Sequence, residues 1–87
     1  MVRSIDRGLD VLALVAGERE PMGLPEITAR MGLPRTTAFN IVRTLVRRGA
    51  LEAAGRRGYR VGPLLEELAR ARMPARDLVA RVRPQLE

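Results

Sequence analysis

The sequence has no cysteine, histidine, tryptophan or lysine, and its only aromatic residues are Phe39 and Tyr59. Without cysteine and histidine it can form no disulfide, thiolate nucleophile or thiolate metal site, and no imidazole can act as acid or base. Two aromatics in the whole chain require an aliphatic core. No apolar run is long enough to span a bilayer. Asp6 and Asp10 interrupt the N-terminal stretch where a secretory signal would be continuously apolar. The expected location is therefore the cytoplasm, with no membrane partner.

The chain has 87 residues, sixteen of them basic and ten acidic, for a net charge of +6. That length suits one small domain with a modest core, which a partner subunit would help to stabilise. An apolar content of 46% rules out a disordered tail. The excess of arginine draws polyanions to the surface, and such attraction weakens with salt.

Ser4 is placed to cap a first helix, with Asp6 in the first turn where it favours the helix dipole. Ile5, Leu9, Leu12 and Ala16 recur on one helical face; Val11 and Val15 widen the arc, and Leu14 lies across from it. This is more apolar surface than one small core uses, so part of the helix is expected to meet a second subunit. Gly17 ends it. After a turn from Glu18 to Gly23, Pro25 to Met31 reads as a short second helix stopped by Gly32, with a very short strand near Met22 to Leu24. Pro34 opens a third helix, 34–48, ended by Gly49. Helix, tight glycine-containing turn and longer helix form the layout of a helix-turn-helix.

At about 100° per residue, Ala38, Ile41, Val42 and Leu45 cluster on one face of the third helix, and Thr36, Asn40, Arg43 and Arg47 on the other. Residues 50–61 then read as a hairpin: strands at Ala50–Ala54 and Tyr59–Val61, joined by a turn carrying Arg56 and Arg57. Leu64, Leu65, Leu68 and Ala69 mark a fourth helix to about Arg72, where Glu66 and Glu67 can pair with Arg70. Pro74 interrupts it. Leu78, Val82 and Leu86, with Val79 beside them, continue as a last helical segment ended or kinked by Pro84.

These elements define a mainly α fold with a small β-wing, a winged helix-turn-helix over residues 1–62, followed by linker and dimerisation helices over 63–87. The third helix carries the side chains that read duplex DNA in a major groove. Arginine can donate two hydrogen bonds to guanine, asparagine can pair with adenine, and threonine can touch a phosphate or a thymine methyl. Thr36, Asn40 and Arg43 are assigned to base edges. Arg35, Thr37 and Arg47 are assigned to phosphates, which position the protein without reading sequence. Phe39 lies about 100° from the centre of the apolar face. Core packing is its usual fate, and partial exposure would bring it to a thymine methyl or a sugar. Arg56 and Arg57 suit contact with backbone or minor groove. Arg3 and Arg7 are further phosphate candidates, Arg3 being near a loose terminus.

Enzyme chemistry has little support. Asp6 and Asp10 stand one turn apart, and Glu18 and Glu20 are near each other, but no third ligand or Gly-rich phosphate loop accompanies them. No catalytic residue, metal or cofactor is expected. The alternative to DNA reading is a winged helix that serves as a protein-interaction module.

The segments SIDRGLDVLALVA, GLPEITARMGLPRTTAFNIVRTLVRRGALE, YRVGPLLEELARA and DLVARVRPQLE together resemble, in order and spacing, the N-terminal domain of the isocitrate lyase regulator (IclR) family. The resemblance runs through nearly the whole chain. It implies a dimeric, nucleoid-associated repressor or activator on a palindromic operator, joined to a C-terminal domain that binds small effectors such as organic acids or aromatic catabolites. That effector domain is expected to be missing here, since the sequence stops at Glu87. Phe39 and Asn40 stand where the family often carries more basic or histidine-like residues, so its operator sequences do not transfer.

Overall fold

The computed structural model describes residues 2–72. The expected segment built on Leu78, Val82 and Leu86, with its prolines, lies outside them. Four helices and two strands follow in the order α1 (Arg3–Ala16), α2 (Leu24–Met31), α3 (Arg35–Arg47), β1 (Leu51–Ala53), β2 (Tyr59–Val61) and α4 (Pro63–Arg72).

Ser4 does not cap α1. The flanking residue is Val2, no side chain caps the helix, and Ser4 lies inside its first turn. The buried face of α1 also differs from the expected one. Gly8, Val11 and Val15 are buried, whereas Ile5 and Leu9 are 62% and 60% exposed. Ala16 is also exposed, and Leu12 and Leu14 are half-buried against the core. The buried set Gly8–Val11–Val15 is offset by one position from Leu9–Leu12–Ala16, which turns the contact face by about 100°. Gly8 faces α3: a β-carbon built there would lie 3.9 Å from Leu45 Cδ2, an ordinary contact distance.

Proline and glycine punctuate the next two helices. Pro25 occupies the first turn of α2, where its missing N–H costs no helical bond. Gly32 closes α2 in the left-handed conformation, φ 66°, and its N–H donates to the Thr28 carbonyl at 3.0 Å. Pro34 is extended (ψ 146°) and flanks α3 rather than opening it, so the helix is one residue shorter at each end than the expected 34–48. The Pro34 carbonyl accepts from the Ala38 N–H at 3.0 Å.

The hairpin is antiparallel, with Leu51 opposite Val61, Glu52 opposite Arg60 and Ala53 opposite Tyr59. One turn of 3₁₀ helix, Gly55–Arg57, joins the strands. The short strand expected near Met22 to Leu24 reduces to a single bridge, because Leu24 already belongs to α2. Met22 and Tyr59 exchange two backbone hydrogen bonds of 2.9 Å each. The core gathers Val11, Val15, Met22, Ile27, Val42 and Leu51, so it is aliphatic as the composition requires. Tyr59 packs at its edge, half-buried. Fully burying such side chains contributes about 1.5–3 kcal/mol each.

Candidate nucleic-acid interface

Burial of Ala38 and Val42 fixes the rotation of α3. It turns Thr36, Phe39, Asn40, Arg43 and Arg47 outward, all exposed; Arg35, in line with Ala38 and Val42, is exposed because it opens the helix. Thr37 is half-buried at the border of this face. Phe39 is not a core residue; it is 43% exposed, beside Asn40 on the polar side. Thr44 also belongs to the exposed arc, and its hydroxyl donates to the Asn40 carbonyl at 2.9 Å. That bond occupies the hydroxyl donor and leaves the Asn40 amide unengaged by it.

One border of this face is a groove of about 800 Å³ between α1 and α3. Ile5, Leu9, Leu12 and Ile41 supply apolar walls, Arg3 and Arg7 line it from α1, and Thr37 and Asn40 from α3. The same residues therefore serve the polar face and the groove.

Beyond α3, the wing is held against the body of the domain. Gly58 has φ 117°, a conformation that L side chains rarely adopt, and a β-carbon there would come within 2.5 Å of the Met22 carbonyl carbon. The hairpin lies that close to the segment between α1 and α2. Arg56 at its tip is exposed and makes no ion pair among the described residues. Arg57, also exposed, pairs with Glu20. Arg60 pairs with its cross-strand neighbour Glu52 at 2.6 Å.

Two features of the electrostatics were not anticipated. In the sequence Glu20 is only a neighbour of Glu18, and its partner Arg57 is 37 residues away, a separation no local pattern reveals. The other feature was available in the sequence: from Ile27 to Leu51 there are five arginines, Arg30, Arg35, Arg43, Arg47 and Arg48, and no acid. On α4, neither Glu66 nor Glu67 bridges to Arg70 among the described residues; the ion pairs there involve Arg30, Arg57 and Arg60. Among the same residues, no three acidic side chains converge as a metal site, and no helix is long and apolar enough to cross a membrane.

A helix, a three-residue turn and a second helix with a polar outward face, followed by a docked antiparallel hairpin, define a winged helix-turn-helix. The chain belongs to the IclR helix-turn-helix family, whose domain model matches residues 4–55. The glycerol operon regulatory protein of Streptomyces coelicolor is 35% identical over 83 residues, covering 92% of this chain and 32% of that protein. The HTH-type transcriptional regulator BhcR of Paracoccus denitrificans is 34% identical over 86 residues, covering 98% of this chain and 30% of that one. The crystal structure of an IclR family transcriptional regulator from Brucella abortus superposes with a TM-score of 0.72 at 32% identity, over 82% of this chain and 27% of that one. These relatives are regulatory proteins or transcriptional regulators by name, and the chain spans 27–32% of their length.

Proposed function

We propose that this chain is the DNA-reading part of a transcriptional regulator that acts in the cytoplasm, on the nucleoid. It binds double-stranded DNA sequence-specifically, with α3 in the major groove and the wing, residues 50–61, on the adjacent backbone or minor groove. Thr36, Asn40 and Arg43 read base edges, with Phe39 against a thymine methyl or sugar. Arg35, Thr37, Arg47 and Arg56 hold phosphates. The observation that carries this is the outward face of α3, which is polar and cationic within a stretch of 25 residues, 27–51, free of acids.

Residues 1–62 form the reading unit in this proposal, and residues 63–87 connect it to a further domain through which any effector acts. Two copies bind a palindromic operator about one DNA turn apart, associating through the exposed Ile5 and Leu9 of α1 and through the C-terminal segment, residues 63–87. The protein-interaction alternative differs in its response to salt. Selection from a random DNA pool, followed by a salt titration on selected and random duplexes, decides between them. DNA reading gives a selected site and a steep negative dependence of log affinity on log salt. A flat dependence with no selected site overturns it.

A further inference from the structure

The fold treats the cations of α3 and those of the wing differently. The exposed Arg35, Arg43 and Arg47 of α3 meet no acid among the described residues. On the wing, Arg60 is matched by Glu52 and Arg57 by Glu20, so among the described residues Arg56 is the wing arginine that meets no acid.

The Glu20–Arg57 pair is built on a braced segment. Two residues after Glu20, Met22 is locked to Tyr59 by reciprocal hydrogen bonds of 2.9 Å, and Gly58 lies against the Met22 backbone too closely for any β-carbon. The backbones of the turn that carries the carboxylate and of the hairpin that carries the guanidinium therefore keep a fixed spacing, while the two side chains meet at the surface, Glu20 76% and Arg57 67% exposed. Both side chains line a polar cleft of about 550 Å³ between that turn and the wing, which Arg60 and Val61 also border. Arg57 thus lies along the flank of the hairpin.

We propose that Glu20 is a positioning residue that holds Arg57 on this flank and keeps its guanidinium off DNA phosphates. Glu20 thereby lowers the sequence-independent share of the affinity by one phosphate contact. This rests on the DNA-binding function proposed above. Each phosphate neutralised by a cation releases counterions and adds about 0.9 to the slope of log affinity against log salt. A guanidinium held by a carboxylate of the same chain adds nothing to that slope.

The test is a salt series on the 87-residue chain with a random-sequence duplex, read by fluorescence anisotropy. It uses the wild type, Glu20→Ala, Arg57→Gln, the double variant, and Glu66→Ala as a control that removes one negative charge on α4. Glu20→Ala should steepen the slope by about 0.9. Arg57→Gln alone should leave the wild-type slope, and the double variant should return to it. Glu66→Ala should not change it. The proposal is overturned if Arg57→Gln alone flattens the slope by about 0.9. It is equally overturned if the Glu20→Ala effect survives removal of Arg57 or is matched by Glu66→Ala. A flat wild-type slope would instead overturn DNA binding itself, before any variant is compared.

Discussion

Arg43 projects from the outward face of α3, three residues after Asn40, and Arg56 projects from the tip of the wing; both are exposed. The charge is the same, but the surroundings differ. A guanidinium on a helix in the major groove can meet the paired acceptors of guanine, whereas one at a hairpin tip meets the backbone. Arg43→Ala should cost about 1–3 kcal/mol on the selected site and relax preference at particular base pairs. Arg56→Ala should weaken all sequences alike and reduce the salt slope by about 0.9. Binding isotherms on a panel of single-base variants separate the two patterns, and identical behaviour would refute the division of roles. Among core residues, Ile27 is fully buried. Ile27→Ala removes methylenes that the surroundings cannot replace, for a loss of about 2–5 kcal/mol in urea unfolding. Phe39→Ala, at an exposed position, should leave the unfolding midpoint nearly unchanged while altering DNA affinity.

At the scale of elements, the wing depends on what it is docked to. Gly58→Ala forces a β-carbon against Met22 and a side chain into φ 117°, so the hairpin has to lift from the turn between α1 and α2. The expected result is a lower melting temperature and faster amide exchange at Met22 and Tyr59, with helix content by circular dichroism largely kept. Helix α2, its turn and α3 were legible in the sequence because their determinants are local: Pro25, Gly32, Pro34 and an apolar repeat at helical spacing. The polar face of α3 was legible for the same reason. The packing face of α1 was not, because the residue at its contact with α3 is Gly8, which contributes nothing to an apolar pattern. Wing pairing was legible from two short strand-forming runs joined by a turn that carries Arg56 and Arg57. The restraint of Arg57 was not, because it depends on a carboxylate brought near only by folding.

For the whole molecule, the consequence lies in what the domain leaves uncovered. Ile5 and Leu9 expose large aliphatic side chains along one wall of the groove between α1 and α3, and contiguous exposed apolar surface marks sites of association. If two copies meet there, Leu9→Asp should shift sedimentation toward the monomer. It should also abolish the dependence of operator affinity on half-site spacing, and spacing dependence that survives in a monomeric variant would remove α1 from the interface. Thr37 and Asn40 line this same groove while standing on the face assigned to DNA. An occupant of the groove and a base pair at Asn40 are then linked ligands of one helix. Thermodynamic reciprocity requires that whatever factor the occupant applies to DNA affinity, DNA applies equally to the affinity for the occupant. The operator would thus act as an effector of assembly, and the dissociation constant between copies should differ on and off DNA by the same factor that separates the DNA affinities of the associated and separate chains.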